Sequence, residues 1–196
     1  MKKLLLIFIC LTSMGTQAFS QVKSKGELNL TFNKGTSAII RTQLEGAGSY
    51  DGEGFYGFGL SYLKPLSGRL DLEAGVGYSK YNVNVTPSLY PGGDVSTQKG
   101  NVSLLSVPVT IRANFLKYLF INAGIVVDFE NKSSILDDQL GIGVMTGIGF
   151  KYNLNPSFSV FVNPYLQQHA IITFNPENYQ QRLLDAGVKL GIGFGL

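Results

Sequence analysis

Once a leader of about twenty residues is set aside, the chain has no cysteine, because Cys10 is the only one it carries. Disulfides, thiol nucleophiles and thiolate metal sites are therefore excluded from the remainder. Histidine is almost as scarce, with His169 alone. No metal-ligand cluster, phosphate loop or dinucleotide fingerprint is present, and no cofactor is called for. After the leader no apolar run approaches the length needed for a membrane-crossing helix. An excess of one charge is missing as well. Of 16 basic and 13 acidic residues, Lys2 and Lys3 belong to the leader and no acid does, leaving 14 against 13 (16 − 2 and 13 − 0). A net charge near +1 removes the case for nucleic acid as a partner.

The leader itself is legible. Lys2-Lys3 precedes an apolar run from Leu4 to Leu11, and Ala18-Phe19-Ser20 fits a small-x-small cleavage pattern. Residues 1–20 are expected to be a secretory signal peptide cut after Ser20, with 21–196 as one domain. Cys10 follows Ile9 inside the apolar run, not a small residue at its end, so lipidation is not expected.

What is present is alternation. Leu184, Ala186, Val188, Leu190, Ile192, Phe194 and Leu196 are apolar, and between them stand Asp185, Gly187, Lys189, Gly191, Gly193 and Gly195. Period two means a strand with one apolar face and one small or polar face. The same pattern runs through Leu70–Tyr78, Leu119–Phe129 and Leu140–Tyr152. It is weaker around Leu28–Phe32, Tyr56–Tyr62, Leu105–Phe115 and Phe158–Ala170, where Ala170 shares the apolar parity. That makes eight strands. Asn33-Lys34-Gly35 also reads as a hairpin turn, which would raise the count to ten; eight is the expectation. Short connections (64–69, 116–118, 153–157) alternate with longer ones (45–53, 86–100, 132–138, 175–179).

The polarity of the two faces separates a soluble barrel from a membrane barrel. The small, glycine-rich face could not clothe a soluble exterior, but it suits a narrow interior. The apolar face matches lipid, where a closed barrel satisfies every backbone hydrogen bond. Aromatics are expected in two girdles. Tyr62, Phe115, Tyr118, Tyr152, Phe158 and Phe194 lie at the short-turn end. Tyr50, Tyr56, Tyr78, Tyr81, Phe129, Phe174 and Tyr179 lie toward the loops. The fold class expected is all-β: an eight-stranded antiparallel up-and-down transmembrane β-barrel.

With these strands in place, the chain resembles the outer-membrane protein β-barrel domain family of Gram-negative bacteria, nearest in architecture to the small barrels of the OmpA and OmpX kind. Leu104-Leu105-Ser106-Val107-Pro108-Val109, the turn at 116–118 and the strand carrying Ala123-Gly124 look like that family's central hairpin. Lys189, Gly191, Phe194 and Leu196 look like its C-terminal assembly signal, with Leu196 where phenylalanine is commoner. The resemblance implies outer-membrane location, outer-membrane lipid as surroundings and the barrel-assembly machinery as a partner during biogenesis.

Chemistry has two places to hide. By parity Asp71, Glu73, Arg112, Asp128, Glu130, Lys151, Asp185 and Lys189 point into the lumen. Their mixed signs allow either a gate or ion path, or a plug of paired side chains; the plug is the expectation. His169 shares the lumen parity and would serve as a general base only beside a hydroxyl and a carboxylate. The loops are the other place, above all residues 86–100, with Tyr81 to Val85 expected to extend past the membrane and offer backbone for β-augmentation. The functional expectation is a non-enzymatic barrel with an envelope-structural role or an interaction with an unknown extracellular partner. A narrow solute or ion channel and a lipid-modifying rim enzyme are the alternatives.

Overall fold

Eight strands follow one another with no helix between them in the computed structural model, which describes residues 26–40, 49–86, 97–130, 139–175 and 181–196. They are β1 (Glu27–Ile40), β2 (Ser49–Pro65), β3 (Leu70–Thr86), β4 (Gln98–Phe115), β5 (Leu119–Glu130), β6 (Gly141–Asn155), β7 (Phe158–Thr173) and β8 (Arg182–Gly195). Each pairs antiparallel with the next, and β8 closes on β1 from Glu27–Gly195 to Ile40–Arg182. Asn33, Lys34 and Gly35 lie inside β1, paired on both sides, so the strand count is eight. The expected signal peptide, Tyr179, the side chain of Tyr50 and most of the four longer connections lie outside the described residues.

Following pairing partners once around the ring measures its stagger. Ser37 faces Asp185, then come Gln167, Met145, Gly124, Thr110, Glu73 and Leu63, and the circuit returns to β1 at Glu27. The return lies ten residues (37 − 27) nearer the short-turn end. With that shear the strands tilt, and the interior is just wide enough for side chains to fill.

Alternation decides what each face meets. Leu30, Phe58, Ile111, Ile148 and Leu190 all point outward and are more than half exposed, while Thr110, Arg112, Asn122 and Asn163 between them are buried. An exterior of exposed leucine, isoleucine, valine and phenylalanine around a charged interior is the reverse of a water-soluble barrel, and it is the wall that lipid requires. At the short-turn end Tyr118 stacks on Tyr152, and Phe158 meets Phe194 edge-on.

Above this band the polarity inverts without any change of parity. On β3 the inward residues become Tyr81, Val83 and Val85, and the outward ones Lys80, Asn82 and Asn84. On β4 Val102 and Leu104 turn inward, with Asn101 and Ser103 outside. The strands, at 12 to 18 residues, exceed the 9–11 that cross a bilayer. The upper ends of β3 and β4 follow the rule of a soluble barrel, as strand ends standing in water do.

Three expectations are corrected here, by the inversion, by the pairing and by a bulge. Tyr81 belongs to the lumen, 1% exposed and stacked on Phe55, and not to the loop-side girdle. Tyr81 to Val85 are paired with β2 and β4 at once, so they present no free edge for augmentation. Ala170 does not face lipid. Between Ile142 and Val144 of β6 the partner strand moves from Ile172 to Gln168, a bulge that turns both His169 and Ala170 inward. Ala170 takes a φ of 47° to do so, a conformation uncommon outside glycine.

Candidate functional site

The lumen is filled at two levels. In the lower one, Arg112 reaches across from β4 and its Nη2 donates to Glu73 Oε2 at 2.6 Å. The other carboxylate oxygen accepts from the Ser61 hydroxyl at 2.7 Å. The guanidinium lies over the Phe120 ring, 4.2 Å from its centroid, with the Phe161 ring 5.2 Å away. These two rings fit because Gly149 lies against Phe120 and Gly191 against Phe161, with no room for a β-carbon at either place. Nearer the turns, Lys151 pairs with Glu27 at 2.6 Å, Ser159 donates to the same carboxylate, and Asn114 donates to Asp71.

The upper level centres on His169. Its Nδ1 lies 2.8 Å from Asp128 Oδ2 and its Nε2 lies 2.9 Å from Asp185 Oδ2. The Tyr81 hydroxyl donates to the same Asp185 oxygen at 2.7 Å, and the Ser106 hydroxyl donates to Asp128 Oδ1 at 2.6 Å. Phe55, Val83, Val102, Leu104 and Leu183 pack into a roof around this group. Gln139, also buried, ties β8 to the rim by accepting from the Leu183 amide and donating to the Gln181 carbonyl.

The eight lumen charges expected from parity thus fall into separate groups. Glu73 and Arg112 meet directly, and Asp128 and Asp185 are joined through His169. Asp71 and Lys151 have other partners, Asn114 and Glu27. Glu130 sits at the loop end and accepts from the Gln139 amide. Lys189 lies beside Tyr165, its ammonium 5.4 Å from the ring centroid. Glu27, Tyr81 and Ser106 complete these groups and were absent from the expected set. Parity alone places Glu27 and Ser106 inside, but only the register shows whom they meet.

Between the levels is a cavity of about 60 Å³, its wall mixing polar Thr31, Asn33, Ser61, Glu73, Gln167 and Lys189 with apolar residues such as Val126 and Met145. At about 10–15 Å³ per water centre it has room for roughly four to six waters. Glu73, the partner of Arg112, and Tyr81 and Ser106 of the His169 group all stand on its wall.

The Ser106 hydroxyl donates to a carboxylate and not to the imidazole, so serine, histidine and aspartate do not form a nucleophile–base–orienter relay. The two aspartates hold opposite edges of the ring and do not converge on one point. Among the described residues no cluster is arranged to hold a metal ion.

A ring of eight strands with an apolar belt outside and ion pairs inside decides the architecture. The chain is a transmembrane barrel of the outer-membrane type. No protein-family model matches the barrel's sequence, and no curated protein does. Among solved structures it is similar to the outer membrane protein OprG from Pseudomonas aeruginosa, at 14% identity and a TM-score of 0.48, over 88% of this chain and 96% of that one. It is also similar to the translocator domain of the autotransporter NalP from Neisseria meningitidis, at 10% identity and a TM-score of 0.37, over 96% and 93%. The KdgM porin in complex with disordered oligogalacturonate aligns at 8% identity and a TM-score of 0.26, over 87% and 99%. The transmembrane reading of the barrel rests on its own wall.

Proposed function

We propose that the barrel is a closed, non-enzymatic scaffold in the outer membrane that presents its loop-side rim to a partner outside the cell. The observation that carries this reading is the filling of the lumen at two levels, by the buried Arg112 with Phe120 and Phe161 below and by the buried His169 group under its apolar roof above. Paired side chains fill a narrow barrel without offering a path. Strands that continue past the apolar band hold the rim clear of the membrane, where binding residues are usefully placed on a rigid support. The test is conductance of the refolded barrel in planar bilayers. Silence over the physiological voltage range is expected, and reproducible open events from the unaltered protein would sink the scaffold reading.

A second reading, a gated path for protons or small ions, is favoured by the cavity between the two levels, with Glu73 and Lys189 on its wall. The same recording distinguishes it: events that change with Glu73→Gln or Lys189→Gln would establish it. During biogenesis, Lys189 and Gly191 on the lumen face and Phe194 and Leu196 on the outer face would be the residues read by the assembly machinery. Replacing Phe194 and Leu196 together with serine should lower the amount of folded barrel in the outer membrane without changing its synthesis.

A further inference from the structure

The outward face of β1 begins as lipid-facing strands do, with Leu28, Leu30 and Phe32, and then changes to Lys34 and Thr36, both exposed. The change is shared by neighbouring strands. Lys34 stands opposite Tyr56 on β2, and Tyr56 stands opposite Lys80 on β3. All three point outward, so the wall carries a row Lys34–Tyr56–Lys80. Strands lie about 4.8 Å apart, which sets the two lysine backbones about 10 Å from each other with the tyrosine ring between them. Among the described residues neither lysine has an ion-pair partner.

The height of this row is informative. The eleven steps from Arg69 to Lys80 climb about 28 Å at about 3.3 Å per residue and a tilt near 40°. That is close to the top of an apolar band about 25 Å tall plus the turn below it. Lys80 is also where the polarity of β3 inverts, with Asn82 and Asn84 above it. Lys34 lies lower, and its long stem lets the ammonium rise to the same level. The row therefore stands where the headgroups of the outer leaflet lie.

A second feature starts at Lys34. A concavity of about 740 Å³ in the outer wall runs from Lys34 and Thr36 across β8, β7 and β6 to Ile121 on β5. Ala186, small and outward-facing, keeps its floor low. Because the pairing row drops ten residues in one circuit, each step in this direction descends about 3 Å. The groove therefore falls by about 12 Å from the lysine row toward the middle of the bilayer.

We propose that the Lys34–Tyr56–Lys80 row and the groove descending from Lys34 form a site for a lipid of the outer leaflet that bears a phosphate monoester. The phosphate sits between the two ammonium groups, each a compact charge with three donors, and the Tyr56 hydroxyl supplies another donor. One acyl chain lies in the groove. Lipid chains are as apolar as the groove itself, so charge supplies the affinity and the groove fixes which way the chain leaves the headgroup. The site belongs to the outside of the wall, so it goes beyond the rim-scaffold reading and stands whether or not the lumen conducts.

The test is native mass spectrometry of the refolded full chain, released from dodecyl maltoside micelles doped with dioleoyl phosphatidic acid or with dioleoyl phosphatidylcholine. The barrel should retain the phosphomonoester lipid about tenfold more than the phosphodiester one. Lys34→Gln with Lys80→Gln should bring the two to parity, while Lys64→Gln, an outward lysine at the short-turn end, should leave the preference unchanged. Ala186→Phe, which fills the groove with both lysines in place, should lower retention several-fold. Heat-modifiable migration on a gel verifies that each variant is folded, and the single lysine variants, each expected to lose part of the preference, stand in if the double one is not. Equal retention of the two lipids by the unaltered barrel, or an equal loss on Lys64→Gln, would overturn the site. Unchanged retention in Ala186→Phe would overturn the part assigned to the groove.

Discussion

Nδ1 of His169 lies 2.8 Å from Oδ2 of Asp128, and neither side chain is exposed to solvent. Since Nε2 faces Asp185 at 2.9 Å, only a ring that carries both protons donates to both carboxylates. The imidazole thus joins β5 to β8 from its place on β7. Replacing it with alanine would leave two buried carboxylates without their common partner. We expect His169→Ala to cost about 3–5 kcal/mol, as breaking a buried pair does. Reversible urea titration in lipid vesicles, with folded fraction read by gel migration, measures it. Adding Asp128→Asn and Asp185→Asn should cost much less than the sum of the separate changes, because all three remove one network. Additive losses would show that the three side chains act independently.

Arg112 and Glu73 form the lower level, and here geometry matters beside charge. Arg112→Lys keeps a cation within reach of Glu73 but gives up the flat guanidinium that lies on Phe120. We expect a loss of about 1–2 kcal/mol from the desolvated cation–π contact. Arg112→Ala, which strands Glu73, should cost more, about 3–5 kcal/mol. Equal losses for lysine and alanine would mean that the rings contribute nothing.

Strand number, facing and the membrane-exposed belt were legible in the sequence because alternation is a local signal, carried for instance by Leu70 to Ser79. The partners of the lumen charges were not. Arg112 meets Glu73 across 39 residues and His169 meets Asp128 across 41, and such pairs depend on a register that no local pattern encodes. Tyr81 was misread for a different reason. Its parity is that of Asp71 and Glu73, but an apolar side chain points to lipid only while the wall is in lipid. Above Lys80 the surroundings change from lipid to water, and the meaning of an apolar residue changes with them. The bulge at His169 and Ala170 left no trace, because an added residue leaves composition and apparent period almost unaltered.

The rings beside Arg112 depend on two glycines. A methyl at Gly191 would meet the Phe161 ring, and one at Gly149 would meet the Phe120 ring. Either substitution to alanine should push its ring off the guanidinium and cost about 1–3 kcal/mol, the usual range for overpacking. Gly77→Ala should be milder, since its nearest neighbour there is a backbone oxygen at 3.6 Å, an ordinary contact. Comparing the three by the same urea titration separates ring displacement from the general effect of losing a glycine. If Gly77→Ala costs as much as the other two, close packing against the rings is not the cause.

The outer wall makes its own demand, which depends on depth. Val144 and Ile148 on β6 are 47% and 53% exposed and point into the apolar band. An arginine at Ile148, the deeper of the two, should cost about 2–4 kcal/mol near the midplane, and somewhat less at Val144. Asn101 also points outward and is exposed, but it lies on β4 above the level where polarity inverts. There Asn101→Arg should cost between about 0 and 1 kcal/mol. Refolding each variant into vesicles and comparing urea midpoints tests both the facing of β6 and the position of the upper boundary. A soluble barrel would tolerate all three arginines alike, so similar small costs at Val144, Ile148 and Asn101 would contradict a lipid-facing wall.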